Sequence, residues 1–271
     1  MLYLVGTPIG NLEDISARAI KTLRSANYIY AEDTRKTRAL LSHLAIRGIP
    51  LRQYNENVHD RVVSKIIELL KDDKSVVVVT DAGMPAISDP GTALVSAVLA
   101  ADLTVTVIPG PTAESCAVAL SGVVDGPYLF TGFLTLKKSS LKKFVEAAYL
   151  ARAALVGYVA PHDIAKLVAS FSQLLGDDAI AVIVREITKI YEERISGSFA
   201  TLATAVRVVE PKGEYVLVIP YESLKVDAMP GELLLEILNA ANPKSGSRSE
   251  RAKTIAALGG ISKSIVYAAL G

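Results

Sequence analysis

The sequence predicts an α/β protein whose first half is built on a largely parallel sheet. Apolar strand-like runs alternate with amphipathic helical stretches, and the run Val76-Val77-Val78-Val79 is apolar throughout, as a strand covered on both faces requires. In order, Leu2 to Val5, Tyr28 to Glu32, Ser75 to Thr80 and Thr104 to Ile108 read as strands. Glu13 to Ala26, Thr34 to Leu44, Asp60 to Lys71, Gly91 to Ala101 and Thr112 to Ser121 read as helices. Strands separated by helices of this length pair in parallel, because each helix serves as the crossover.

A break rich in Gly and Pro from Gly122 to Pro127 precedes a second segment. There Tyr128 to Phe133, Ala154 to Val159, Ala179 to Glu186, Tyr191 to Ser196 and Tyr215 to Pro220 read as strands, with helices over Ser139 to Ala151, Asp163 to Leu175 and Phe199 to Arg207. Polar and apolar residues alternate from Lys189 to Ile195, which predicts a partly exposed antiparallel strand. After Tyr221 come a helical run from Gly231 to Ala241, the loop Asn242 to Ser247, and two short helical runs, Ser249 to Leu258 and Ser262 to Leu270, with Ser249 and Ser262 as N-caps. Two small helices meeting at Gly259-Gly260 fit a helix-turn-helix or a plain helical hairpin equally. The expected organisation is an N-terminal α/β domain over residues 1–122, a C-terminal α/β domain with a mixed sheet over 127–221, and a helical tail over 222–271, a candidate RNA-binding element.

The chain has 271 residues, 51% apolar and 21% charged, which excludes disordered and collagen-like classes and allows an ample core. One cysteine, Cys116, permits no internal disulfide, and in its apolar stretch it reads as a small packed hydrophobe. Three histidines and one cysteine do not supply the usual zinc sets, so metal-centred catalysis is not expected and metal site residues are none, with a carboxylate-bound hard cation as the open alternative. The N-terminus has no basic leader, and no run approaches 18 uncharged apolar residues. A cytoplasmic protein without a membrane span is the expectation.

A formal net charge of +1 conceals a bipolar distribution. Residues 18–47 hold Arg18, Lys21, Arg24, Arg35, Lys36, Arg38 and Arg47 against Glu32 and Asp33, a net of +5. Residues 242–271 carry +4, which leaves −8 for the rest. Two basic segments brought together by the fold would make a polyanion footprint; solvated helix faces are the alternative.

There is no G-x-x-x-x-G-K-[ST], no G-x-G-x-x-G after the first strand, no H-E-x-x-H and no C-x-x-C, which disfavours P-loop NTPases, ordinary dinucleotide enzymes and zincins. The segments into which four strands run are informative: Gly6-Thr7-Pro8-Ile9-Gly10-Asn11, Ala31-Glu32-Asp33-Thr34-Arg35, Thr80 to Gly91, and Pro109 to Ala113. Open α/β sheets bind ligands at the carboxyl ends of their strands, and these four ends are dense in Gly, Pro and small polar residues. They predict a pocket built mainly from backbone.

These same residues carry a resemblance. GTPIGNLEDIS (6–16), AEDTRKT (31–37), DAGMPAISDPG (81–91), IPGPTA (108–113), TGFL (131–134), REITKIYEE (185–193) and KGEYVLVI (212–219) resemble, in order, the signature blocks of the bacterial 16S ribosomal RNA (cytidine-2'-O)-methyltransferase I family, within the tetrapyrrole-methylase superfamily. The resemblance implies two α/β domains of the tetrapyrrole-methylase type with an inter-domain cofactor cleft, S-adenosylmethionine as methyl donor, and a homodimer. Its implied substrate is a decoding-centre cytidine of 16S rRNA within the 30S subunit. Carried over residue by residue, the donor would touch Pro8, Thr80, Asp81, Ala82, Gly83, Thr112, Ala113 and the backbone at Val159 and Ile187. One block departs: where the family pattern has Tyr-Glu-Ser-Pro-His-Arg, this chain reads Tyr158-Val159-Ala160-Pro161-His162-Asp163.

Transfer of an activated methyl group chiefly demands alignment of donor and acceptor, so a shortage of His and Cys is compatible with catalysis. A ribose hydroxyl is a poor nucleophile, which directs attention to Asp33, Arg35, Arg185, Glu186 and Lys189 as the acceptor-side set. Arg35 and Arg185 would fork onto phosphates, and Asp33 or Glu186 would orient or deprotonate the hydroxyl. The structural alternatives are a helix cap at Asp33 and an ion-pair cluster at Arg185 to Lys189. Two other functions stay open: methylation of a tetrapyrrole carbon on the same fold, and a non-catalytic RNA-binding assembly factor, the latter raised by the altered 158–163 block.

Overall fold

The computed structural model describes residues 1–55, 59–208, 211–224, 247–259, 263 and 266–267. The described chain packs as two compact units. Met1–Leu120 forms the first together with Val184–Arg194 and Gly213–Val216, and the rest forms the second. A linear division near residue 122 thus omits two short later segments that pack with the first unit.

The first unit contains β1 (Leu2–Val5), α1 (Ala17–Ser25), β2 (Tyr28–Ala31), α2 (Thr34–His43), β3 (Leu51–Gln53), α3 (His59–Lys71), β4 (Val76–Val79), α4 (Thr92–Ala100), β5 (Val105–Ile108) and α5 (Ala113–Ser121). Its sheet has the order β3-β2-β4-β1-β5, and every neighbouring pair is parallel. All four valines of β4 are buried, as their unbroken apolar run requires of a central strand. The chain steps outward from β1 to β2 to β3, then reverses through β4 to β5. Right-handed crossovers place the helices of opposite steps on opposite faces. Accordingly Ala19, Leu23 and Leu41 of α1 and α2 pack on one face with Val5, Ile29 and Val77, while Ile66, Leu70, Leu94 and Val98 of α3 and α4 pack on the other with Leu2, Tyr30 and Val78. The reversal leaves β1 and β4 side by side, with their outgoing chains leaving toward opposite faces. That is the topological switch point, where open α/β sheets form a crevice at the carboxyl edge.

The strand β3 is absent from the sequence expectations. Leu51-Arg52-Gln53 is short and polar because it is the sheet's edge and has two exposed residues.

The second sheet has the order β6-β7-β10-β8-β9, built from β6 (Tyr128–Phe133), β7 (Ala154–Val159), β8 (Ile180–Arg185), β9 (Glu193–Ser198) and β10 (Tyr215–Ile219). Its helices are α6 (Lys138–Leu150), α7 (Ile164–Leu175) and α8 (Phe199–Val208), with Phe171 of α7 stacked on Phe199 of α8 at 6.0 Å. β6 and β7 are parallel. The neighbours β8 and β9 are joined by only seven residues, too few for a crossover, so they run antiparallel.

One further helix, α9 (Arg248–Gly259), lies in the tail. Its cap is a reciprocal pair, Ser247 Oγ accepting from Glu250 N at 3.3 Å and Glu250 Oε2 accepting from Ser247 N at 2.8 Å, two residues before the cap expected at Ser249. The expected helix over 231–241, and most of the loop at 242–247 and of the run 262–270, lie outside the described residues. Among the described residues no helix is long and apolar enough to cross a membrane, and no cluster of three or more His, Cys, Asp or Glu is placed to hold a metal ion.

Candidate active site

The carboxyl edge of the first sheet is tied together by its backbone. The loop after β1 and the loop after β4 exchange two hydrogen bonds, Thr7 N to Gly83 O at 2.9 Å and Gly83 N to Thr7 O at 3.1 Å, across the switch point. Thr7, 2% exposed, also donates its hydroxyl to the Thr80 carbonyl at 3.2 Å. The loop after β5 closes on the same point: a Cβ on Gly6 would lie 2.7 Å from Gly110 Cα, so both positions tolerate only glycine. Three strand ends therefore meet backbone to backbone at the switch point.

The loop from Asp81 to Gly91 holds unusual backbone. Ala86 and Ser88 adopt left-handed conformations with φ of 68° and 60°, each costing about 1–2 kcal/mol. Non-glycine residues held this way concentrate at sites where surrounding structure over-determines them.

Carboxylates organise the polar side of this edge. Glu32 Oε2 accepts from the buried Thr80 hydroxyl at 2.8 Å and from Asp81 N at 3.5 Å. Asp81 Oδ1 accepts from Asp33 N at 3.0 Å, and its Oδ2 pairs with Lys36 Nζ at 2.8 Å. That bond to Asp81 raises the Lys36 pKa, with the more distant Glu214 adding to the effect. Asp33 caps α2 through Arg35 N at 2.8 Å and is gripped by the Arg35 guanidinium at 2.7 Å. These bonds lower its pKa to about 2. Asp89 is moved the other way: burial raises its carboxyl to about 6, Glu32 and Asp81 push in the same direction, and a hydrogen bond with Thr80 opposes them.

The segment Val184–Arg194 forms a second charged cluster of the same unit. Arg185 Nε meets Glu193 Oε2 at 2.9 Å. Lys189 Nζ contacts Glu186 Oε1 at 2.8 Å and Glu214 Oε2 at 3.2 Å, and Glu214 N donates to Glu186 Oε1 at 3.0 Å. Burial works against the Glu186 charge, but these donors hold its pKa below the usual value. Burial likewise opposes the Lys189 charge, and its two carboxylate partners raise its pKa. Thr188 Oγ1 accepts from Asn11 N at 3.0 Å, which anchors this segment to the loop after β1.

Of the expected donor-binding residues, Pro8 and Gly83 are buried, as is Thr80, while Asp81 and Ala82 are half-buried at the same loops. Thr112 and Ala113 open α5, where the Thr112 and Ser115 hydroxyls bond each other. Ile187 is buried in the 184–194 segment, and Val159 is buried at the end of β7 in the second unit. A cavity of about 400 Å³ is lined by Asp14, Pro109, Gly110, Pro111, Cys116 and Thr188, the neighbours of Thr112, Ala113 and Ile187 rather than those residues themselves. Its size lies within the range of small-ligand pockets. Cys116 is thus half-buried on a cavity wall instead of packed in the core, and burial raises its thiol pKa.

All five expected acceptor-side residues lie in the first unit, in two groups, Asp33 with Arg35 and Arg185 with Glu186 and Lys189. Each is engaged with a partner of opposite charge. Glu32, Lys36, Asp89 and Glu214 complete the network without being singled out by sequence. Glu32 and Lys36 lie inside the AEDTRKT block and Asp89 inside DAGMPAISDPG, so charged residues within the blocks are the signal that was available. In the second unit Tyr158 packs edge-on against Phe130 and Phe133, and His162 is exposed beside Asp163 at 3.4 Å.

Residues 1–203 match the family described as Tetrapyrrole (Corrin/Porphyrin) Methylases. The chain is 41% identical over 219 residues to the Ribosomal RNA small subunit methyltransferase I of Bacillus subtilis (strain 168), spanning 81% of this chain and 74% of that one. It is 36% identical over 272 residues to the protein of the same name from Halalkalibacterium halodurans, spanning 98% and 93%. Among solved structures it resembles uroporphyrin-III-C-methyltransferase from Thermus thermophilus with a TM-score of 0.58 at 18% identity, covering 81% of this chain and 94% of that one, a likeness of fold alone. The chain therefore belongs to the tetrapyrrole methylase family and, within it, to the ribosomal RNA small subunit methyltransferase I group.

Proposed function

We propose that this protein transfers a methyl group from S-adenosylmethionine to the ribose 2'-hydroxyl of a decoding-centre cytidine in 16S rRNA. The observation that carries the reading is the three-loop junction at the switch point, in a chain 36–41% identical to relatives named for ribosomal RNA methylation. It presents main-chain groups and small residues, as a site needs when it holds a donor by shape and backbone polarity rather than by reactive side chains.

The residues suit that donor. Gly6 and Gly110 leave no side chain at the junction, and Gly83, with φ of 81°, turns the loop after β4. Pro8, Thr80, Asp81, Ala82, Gly83, Thr112 and Ala113 would touch it, together with the backbone near Val159 and Ile187. When bound, the donor supplies an activated sulfonium methyl group that needs no metal or nucleophilic side chain to leave.

What the chain adds is alignment, which lowers such barriers by about 7–11 kcal/mol. Asp33, with a pKa of about 2, is a weak proton acceptor, and Glu186 is held below its usual value by Lys189 and Glu214. Neither carboxylate is tuned toward neutrality as an efficient general base is. We assign Asp33 and Arg35 to fixing the start of α2 beside the acceptor, and the Arg185 to Lys189 segment to fixing the loop after β1. The protein would act as a homodimer in the cytoplasm on RNA assembled into the 30S subunit.

The test is incubation of the full chain with methyl-labelled donor and, separately, 30S subunits, protein-free 16S rRNA and a uroporphyrinogen. Label in the RNA of 30S subunits supports the reading. Label in the tetrapyrrole alone, or RNA binding without transfer, contradicts it.

A further inference from the structure

Charge in the first unit is segregated by the sheet. The layer of α1 and α2, residues 15–49, carries seven cations against two acids, a net of +5. On the opposite face, α3 with its following turn (59–74) is balanced, and α4 with its turn (92–103) carries only Asp102. The two acids of the basic layer are already committed, Glu32 to Thr80 and Asp33 to Arg35. Lys36 is committed to Asp81. Arg18, Lys21, Arg24, Arg38 and Arg47 are exposed, and none makes an ion pair among the described residues.

Three of these cations form a track. Arg18, Lys21 and Arg24 recur every third residue of α1, rising about 4.5 Å per step along one flank of the helix. Arg18 stands in the first turn, at the edge of the sheet that carries the site, because a crossover helix runs back from the carboxyl edge. Arg24 stands in the last turn, where its guanidinium donates to the Leu44 carbonyl at 3.1 Å and joins the end of α1 to the turn that carries Arg47. A surface depression of about 470 Å³ along α1 is lined by Ala17, Ile20, Lys21, Arg24 and Ser25. Uncompensated cations in a row beside an apolar-floored depression suit a run of phosphates, the groups that position a nucleic acid without reading its sequence.

We propose that this face of α1 and α2 is a docking surface for an RNA backbone, a phosphate track that begins at the site's edge and leads away from it. The proposal rests on the reading of the chain as an RNA methyltransferase and adds where the RNA lies. The catalytic loops hold the target nucleotide; the track holds flanking phosphates and sets register.

The experiment compares the full chain with the triple variant Arg18→Gln/Lys21→Gln/Arg24→Gln and with a control on the opposite layer, Lys65→Gln/Lys71→Gln/Lys74→Gln. Glutamine keeps helix propensity close to that of the residues replaced. Binding to protein-free 16S rRNA is titrated between 50 and 200 mM salt, alongside donor affinity and the KM and kcat of methyl transfer. The α1 triple is expected to bind RNA at least tenfold more weakly, with a salt slope smaller by about 2, as three lost phosphate contacts dictate. KM for RNA should rise with kcat and donor affinity unchanged, and the control should behave as the parent. If the triple variant does not fold, the double Arg18→Gln/Lys21→Gln should lower the slope by about 1.4. An unchanged slope in a folded variant, or equal loss in the control, overturns the proposal. Methyl transfer to RNA that persists with an unchanged slope overturns this surface alone. A wild-type slope carried by α1 without any methyl transfer supports the surface and overturns the enzymatic reading.

Discussion

Asp33 commits both carboxylate oxygens to Arg35, through the backbone N–H at the start of α2 and through the guanidinium. Asparagine caps a helix as well as aspartate does. Single-turnover methylation by Asp33→Asn is therefore expected within about tenfold of the parent, and Glu186→Gln likewise; a loss of about 10²–10⁴-fold in either would instead mark a general base. Glu32 has a different task, accepting from a Thr80 hydroxyl that is 4% exposed. Glu32→Ala removes that acceptor and leaves the Thr80 hydroxyl to Asp89 alone, so we expect a stability loss of about 0.5–1.5 kcal/mol, that of one hydrogen bond. Calorimetric titration should also record at least tenfold weaker donor binding, with Glu32→Gln intermediate because it keeps one acceptor oxygen. Asp89 gives a pH signature. Its folded pKa of about 6 lies above the ordinary 3.8, so the folded protein holds the proton more tightly than the unfolded chain. The stability this contributes is complete below about pH 4 and is lost as pH rises through 6. Such a shift is worth at most about 3 kcal/mol, and solvent screening leaves about 1 kcal/mol. Denaturation midpoints of the parent should fall relative to those of Asp89→Asn between pH 4 and 6.5; parallel curves would refute the assignment. The helix cap at Asp33 was legible in the sequence because its partner, Arg35 N, is two residues away in the chain. Glu32 was not, because its partner lies 48 residues away and becomes adjacent only when β2 and β4 pair.

At the level of elements, the junction of three loops rests on two glycines. Gly6→Ala would press a methyl group against Gly110 and Met84, where the backbone has no room to yield. Overpacking of this kind costs about 1–3 kcal/mol, and here it should also separate the loops after β1 and β5. Chemical denaturation of Gly6→Ala should therefore show lower stability, and donor binding should weaken at least tenfold. Normal binding in the folded variant would show that the junction does not form the site. The central strands were readable because burial on both faces demands an apolar run, which β4 supplies in four consecutive valines. The edge strand β3 was not, since an edge needs neither apolar continuity nor length. The cap of α9 was displaced for a related reason. Ser249 and Ser247 are equivalent by residue type, and only Glu250 three positions after Ser247 completes the reciprocal pair.

Across the whole chain, a net charge of +1 describes no single surface. The reversal of strand order sorts α1 and α2 onto one face and α3 and α4 onto the other, and the cations follow the first pair. Local patterns could indicate a basic segment but not its face, which depends on the direction in which the chain steps through the sheet. The most direct measurement of the proposed chemistry is the position of the methyl group in 16S rRNA after reaction of 30S subunits with labelled donor. Alkaline hydrolysis cleaves at every free 2'-hydroxyl, so ribose methylation should leave the label in a single alkali-resistant dinucleotide that begins with cytidine. Label recovered in mononucleotides, on a base, or at a nucleotide other than cytidine would contradict transfer to a cytidine 2'-oxygen.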